Sequence, residues 1–200
     1  YISTEQFRAA QTAPLAVRPS LREAVPMHAE YVAEMARQVV FDAYGEDAYT
    51  KGLTVHTTIR KADQQAAYAA VRRGVLDYDH RHGYRGPEAY VSLPAEATER
   101  EAVLERLFQE TSDSDGLVPA VVTEAGAAAV KAMLADGEAV EVTGEGLRFA
   151  GRSLGEKAAA TTRIRPGAVV RLARDSKGRW EITQLPQVEA AFVSLRPNDG

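Results

Sequence analysis

Residues 163–195, RIRPGAVVRLARDSKGRWEITQLPQVEAAFVSL, constrain the fold most. They read as three β-strands in succession. The first covers 169–173, after a Pro166-Gly167 turn. The second, 179–183, alternates Trp180 and Ile182 against Arg179, Glu181 and Thr183, which predicts one buried and one wet face. Asp175-Ser176-Lys177-Gly178 between them is a short hairpin connection. The third run, 188–195, is apolar on both alternating faces, with Val188, Ala190 and Phe192 on one side and Ala191, Val193 and Leu195 on the other. A strand apolar on both sides is usually covered on both. The sequence stops shortly afterwards, so the cover is expected in a longer protein of which this chain is a piece. The start at Tyr1, without Met, carries the same expectation.

The first half of the chain is helical in texture. Thr4 is placed to cap a helix over 5–10, and Pro14, Pro19 and Pro26 then predict an extended linker. Residues 27–44 form a helix in which Met27, Tyr31, Met35 and Val39 recur at i+4, a face expected to be core, with Gly45 just past its end. Residues 52–59 alternate Leu53, Val55, Thr57 and Ile59 against Thr54, His56 and Thr58, as a strand does. An alanine-rich helix follows over 62–79, with Ala66, Ala69, Ala70 and Leu76 on its expected inner face. Gly83-Tyr84-Arg85-Gly86-Pro87 is a rigid turn. Thr98 and Glu101 have capping-box spacing and open a helix to about Gln109.

From Leu117 the pattern changes to short strands. Val118, Ala120 and Val122 alternate in one, and Val130, Ala132 and Leu134 in the next. Asp136-Gly137 is the strongest hairpin signal in the chain and returns into Val140 and Val142. Residues 147–150 read as a fourth short strand and 151–161 as helix or loop. With the strands of 163–183, this predicts an α+β chain built on a five-stranded Greek-key barrel of the OB type.

Chemistry is sparse. There is no cysteine, so thiolate sites are excluded, and the formal net charge of -4 disfavours a nucleic-acid partner. Asp77, Asp79, His80 and His82 are the only clustered ligand-type residues. They fall at a helix end, where i and i+2 diverge, and read as solvated rather than as a metal site. No nucleophile constellation and no phosphate-binding glycine loop appear, so no catalytic, cofactor-binding or metal residues are assigned. One charged stretch stands out. Arg163, Arg165, Arg174, Lys177 and Arg179, with Arg171 among them, form a candidate partner-docking face. An OB domain binding single strands would need stacking aromatics, and only Phe149 and Trp180 are candidates, Trp180 reading as inward.

Leu53-Thr54-Val55-His56-Thr57-Thr58-Ile59 followed by Gln64-Gln65-Ala66-Ala67 resembles class A penicillin-binding proteins, being similar to the opening of the family's transpeptidase region. Arg81-His82-Gly83-Tyr84-Arg85-Gly86-Pro87 is similar to a family signature, and Tyr1-Ile2-Ser3 with Gln6-Phe7 resembles the tail of the glycosyltransferase domain. Residues 144–150 and 192–200 match as well. The pattern is that of the 1A subgroup of Gram-negative bacteria. The resemblance implies an OB-like barrel inserted into a truncated strand-helix remnant of a transpeptidase domain, with N-terminal linker helices. Residues 1–48 would be glycosyltransferase tail and linker. Residues 49–87 and 188–200 would start the transpeptidase domain, and 88–187 would be the insertion, its barrel mainly over 117–185.

The family polymerises peptidoglycan in one domain and crosslinks it in another by an acyl-serine mechanism that uses S-x-x-K, S-x-N and K-[ST]-G motifs. The residues three past Ser3, Ser20, Ser92, Ser112, Ser114, Ser153, Ser176 and Ser194 are Gln6, Glu23, Ala95, Asp115, Leu117, Glu156, Arg179 and Pro197, and none is lysine. The other two motifs are absent too. The resemblance therefore implies a non-catalytic docking and regulatory region without cofactor. It would lie in the periplasm, with the parent anchored in the inner membrane. Its partner would be an outer-membrane lipoprotein activator or another cell-wall synthesis protein. The alternative is a free-standing OB module that binds single-stranded nucleic acid or another ligand. On the family reading, 52–59 and 188–195 are expected to pair as a small remnant sheet.

Overall fold

A computed structural model of the chain describes residues 3–12 and 27–198. The chain divides into two compact units, Tyr1–Ala69 and Ala70–Gly200.

The first unit holds α1 (Thr4–Thr12), α2 (Glu30–Tyr44), α3 (Asp47–Thr50) and the first turns of α4 (Lys61–Arg81). Gly45 ends α2 at φ 58, and its N–H donates to the Phe41 carbonyl at 2.7 Å. That conformation costs glycine nothing. The expected apolar stripe is present but is not core. Tyr31, Met35 and Val39 are 88%, 67% and 70% exposed, and α2 buries no residue. Periodicity encodes which face is apolar, not which body covers it. The imidazole of His28 stacks on Tyr68 of α4 at 3.6 Å, and Gln64 Nε2 donates to the His28 carbonyl. The linker prolines Pro14, Pro19 and Pro26 lie outside the described residues.

Residues 52–60 form no strand, which corrects the expectation for 52–59; Leu53 and Val55 stand exposed. Residues 188–195 form none either, with Phe192, Val193 and Leu195 exposed. The expected remnant sheet is therefore absent. Alternation marks strand-competent sequence, but a ladder needs partners for its N–H and C=O groups, and two short strands are marginal by themselves.

The second unit is a six-stranded antiparallel sheet: β1 (Ala89–Tyr90), β2 (Val118–Ala125), β3 (Ala129–Met133), β4 (Ala139–Thr143), β5 (Ala168–Arg174) and β6 (Trp180–Thr183), with α5 (Ala97–Glu110) between β1 and β2. The order is β1-β5-β2-β3-β4, and β6 also pairs with β5. β5 is the hub. One edge pairs with β2, with Val118 opposite Leu172 and Val121 opposite Val169. The other edge is shared, Ala168 and Val169 facing β1 and 171–174 facing β6. Residues 168–172 are all buried. The strand covered on both faces is thus β5, not 188–195.

The Asp136-Gly137 hairpin joins β3 to β4 with Met133 opposite Ala139, and Gly137 takes φ 82. The 175–178 hairpin joins β5 to β6, with Arg174 opposite Trp180. β2 carries a bulge between Val122 and Glu124, which bends the sheet. The inner face forms one cluster that includes Ala120, Val122, Val130, Ala132, Val142, Val170, Leu172 and Ile182.

A closed five-stranded barrel is not formed. β4 makes no ladder with β6. The segment expected as a fourth strand, 147–150, instead follows a 3-10 turn, Gly144–Leu147, and leads into another, Gly151–Ser153. That first turn fills the gap between β4 and β6. Gly146 lies against the Trp180 carbonyl and Glu181 Cα so closely that a Cβ would overlap them. Leu147 and Ala150 remain buried, so the apolar signal was read correctly and its backbone was not. The helix α5 is capped by Glu96, whose side chain accepts from Glu99 N at 2.9 Å, in place of the expected Thr98 box.

Candidate functional site: the seam between α4 and the sheet

Helix α4 turns a different face inward from the one its alanines predict. Val71, Arg72, Val75, Leu76, Asp79 and His80 are covered at i, i+3 and i+4 spacing, whereas Ala66, Ala69 and Ala70 are exposed. Short alanines mark no face strongly, and the branched and polar residues decide it.

The last turn of α4 meets both connections of the sheet. Asp79 is only 4% exposed, which corrects the expectation of a solvated helix end. Its carboxylate accepts from Arg85 Nη1 at 2.7 Å, Gln184 Nε2 at 2.7 Å and the Gln187 amide at 3.3 Å. Gln184 is itself fully used. Its Oε1 accepts from Arg85 N at 2.8 Å, and its Nε2 also donates to the Gly83 carbonyl at 3.0 Å. Arg85 Nη2 donates to the Leu185 carbonyl. At the next residue of α4, His80 Nε2 lies 3.1 Å from Thr183 Oγ1, and its ring stacks on Phe149 at 4.1 Å. Thr183, expected on a wet face, is therefore buried. Burial alone would push the Asp79 carboxyl up. The hydrogen bonds from Arg85, Gln184 and Gln187, with the Arg85 charge, outweigh it and hold the group below its usual range.

The same turn anchors the sheet beyond Arg85. Gly86, at φ 109, lies against the Thr162 backbone where a Cβ would not fit. Glu88 meets Arg171 in a two-pronged ion pair, Nε to Oε1 at 2.7 Å and Nη2 to Oε2 at 3.1 Å. Arg171 Nη1 also donates to the carbonyls of Ser112 and Leu117, so this 4% exposed guanidinium is well satisfied. Tyr84 packs edge-on to Phe149 at 5.6 Å. Its buried hydroxyl has no partner among the described residues, and burial, with the Tyr90 and Glu88 charges, pushes it up. Arg72 pairs with Asp115 at a second point along the helix.

The basic residues of 163–179 do not share one face. Arg163 and Arg165 precede β5 and are exposed, with Arg165 lying 4.5 Å over the Tyr90 ring. Arg174, Lys177 and Arg179 surround the β5–β6 hairpin at the opposite end of the strand, about 20 Å away by strand rise. Arg179 pairs with Asp175 at 2.7 Å, and Arg174 stacks 3.9 Å over Trp180. The Asp175 carboxyl is held down by the Arg179 amide first, then by the Arg179 side chain and the Lys177 amide. Arg171 is buried and leaves the set. Both candidate stacking aromatics are already covered, Phe149 by His80 and Trp180 by Arg174. Among the described residues, no group of three or more His, Cys, Asp or Glu is arranged to hold a metal, and no helix is long and apolar enough to cross a membrane.

Sequence reading missed the Asp79–Arg85–Gln184 seam. The one signal for it was the density of polar and glycine residues in 79–87, where a plain helix exit needs few.

The antiparallel sheet spanning β1 to β6 places the chain among OB-like domains. The family described as "Penicillin-binding protein OB-like domain" matches residues 84–188. The chain is 36% identical over its whole length to penicillin-binding protein 1A of Pseudomonas aeruginosa, and 34% to that of Escherichia coli. It is also similar to the crystal structure of penicillin-binding protein 1A from Haemophilus influenzae, with a TM-score of 0.66, 30% identity, and coverage of 93% of this chain and 26% of that one. The chain belongs to the class A penicillin-binding protein family. It spans about a quarter (24%) of the length of these two curated relatives.

Proposed function

We propose that this chain is the non-catalytic docking and regulatory region of a bifunctional peptidoglycan synthase, a glycosyltransferase and D,D-transpeptidase that builds and crosslinks the bacterial cell wall. The observation that carries the reading is whole-chain similarity to 1A-type proteins together with an OB-like match over 84–188. No serine in the sequence stands three before a lysine, so the acyl-enzyme chemistry belongs to the rest of the parent.

On this reading 49–87 and 188–200 begin the transpeptidase domain, 1–48 is glycosyltransferase tail and linker, and 88–187 is the insertion. The apolar residues left open on α2, at 52–59 and at 188–195 are those the remainder of the parent would cover. The parent is anchored in the inner membrane and works in the periplasm. The insertion receives an outer-membrane lipoprotein activator, and the hairpin cations Arg174, Lys177 and Arg179, with Arg163 and Arg165 at the other end of β5, are the docking candidates.

The test is titration of the chain with the purified lipoprotein activator of the same cell. Binding that weakens about tenfold in a Lys177→Glu/Arg179→Glu variant, or in Arg163→Glu/Arg165→Glu, supports the reading and selects the end of β5 that docks. Binding unchanged in both variants removes these residues from the site, and absence of binding removes the partner. Nucleic-acid binding is disfavoured, because both aromatics that would stack bases are occupied within the fold.

A further inference from the structure

Two chain crossings lead into and out of the sheet, 82–88 from α4 into β1 and 184–187 from β6 toward the C-terminal segment. Here both converge on one carboxylate. Asp79 holds the inward crossing through Arg85 and the outward crossing through Gln184 and the Gln187 amide, and Gln184 ties the two crossings to each other through Arg85 N and the Gly83 carbonyl. Every polar atom of the Gln184 side chain is used. The contacts flanking the node tie the end of α4 and the inward crossing to the sheet, His80 with Thr183 and Phe149 on one side and Glu88 with Arg171 on the other.

We propose that Asp79 is a positioning residue that clamps both crossings, so that the OB-like unit and the C-terminal half of α4 move as one body without a hinge between them. The geometry supports a clamp over simple surface contact. The acceptor is buried, its three donors come from both crossings, and one of them is a guanidinium. A hinge would instead need backbone free to change φ/ψ at the crossings. Yet Gly86, in the inward crossing, is wedged against the Thr162 backbone. In consequence, a partner seated on the OB-like unit would displace the C-terminal half of α4 with it, with no loss of motion at the joint. That consequence rests on the docking reading above; the clamp does not.

The absence of cysteine makes the test direct. Spin labels at Arg73→Cys on α4 and Glu141→Cys on β4, both exposed sites, report their separation by pulsed electron resonance in the whole 200-residue chain. A narrow distribution is expected in the parent sequence. It should broaden or shift in Asp79→Ala and in Gln184→Ala, and stay unchanged in the surface control Glu145→Ala. The Gln187 amide should lose hydrogen-exchange protection about fivefold or more in Asp79→Ala. Gln184→Ala keeps the buried charge paired with Arg85, so it remains informative if Asp79→Ala fails to fold. A distribution already broad in the parent sequence, or one unmoved in the folded clamp variants, overturns the proposal. No partner enters the experiment, so failure of the docking reading leaves this result intact.

Discussion

At the residue scale, Asp79 carries the most weight. It is a carboxylate on the last turn of a helix, a place where a cation normally suits the helix dipole better. It is tolerated because three donors, one of them a guanidinium, converge on it. The folded carboxyl is held below its ordinary value near 4, so its contribution is fully present above that value and is lost as pH falls through the lower, folded one. Thermal melting of the chain should therefore drop as pH is taken from about 6 to below about 4. Asp79→Asn should lower the melting temperature at pH 7 and flatten that acid limb. Removing one partner of this pair should cost about 1–3 kcal/mol, less than for a sealed ion pair because Arg85 still reaches water. An acid limb of unchanged slope in Asp79→Asn would assign the loss to other carboxylates, such as Asp175 and Glu96, which are also held down. Sequence alone showed Asp79 only as one acidic residue near two histidines. Its burial depends on Arg85, six residues on, and on Gln184, 105 residues on, and no local pattern reports a contact of that separation.

At the element scale, what was legible is what local chemistry fixes. The Asp136-Gly137 and 175–178 hairpins, the glycine stop at Gly45, and the strands around Val122, Ala132, Val142 and Val170 follow from turn residues and period-two alternation. What was not legible depends on a partner surface. The i+4 stripe of α2, the alternation of 52–59 and the double apolarity of 188–195 are sound signals, yet all three stand uncovered. Residues 147–150 show the reverse case, where burial was encoded but a 3-10 turn satisfied it more cheaply than a strand that would have to squeeze past Gly146. The uncovered faces make a prediction. Met35→Glu on α2 should change the urea midpoint of this chain very little, within about 0.5 kcal/mol, because the side chain buries little here. In the proposed longer parent the same change should cost about 2–5 kcal/mol, and amides of 188–195 should be more protected from exchange than in this chain. Equal effects in the two proteins would mean that α2 faces water in both.

At the scale of the whole molecule, the chain combines an OB-like unit that has its own core with segments whose apolar faces stand exposed. The proposed role as a docking region of a peptidoglycan synthase separates it from acyl-serine catalysis, which needs a serine with lysine three residues on. The most direct measurement is covalent labelling with a fluorescent penicillin, on the 200-residue chain beside the full-length parent, read on a denaturing gel. The parent should carry the label on a serine beyond this region, and the chain should carry none at any concentration that saturates the parent. A stoichiometric, hydroxylamine-sensitive label on any of Ser3, Ser20, Ser92, Ser112, Ser114, Ser153, Ser176 or Ser194 would contradict a non-catalytic docking role.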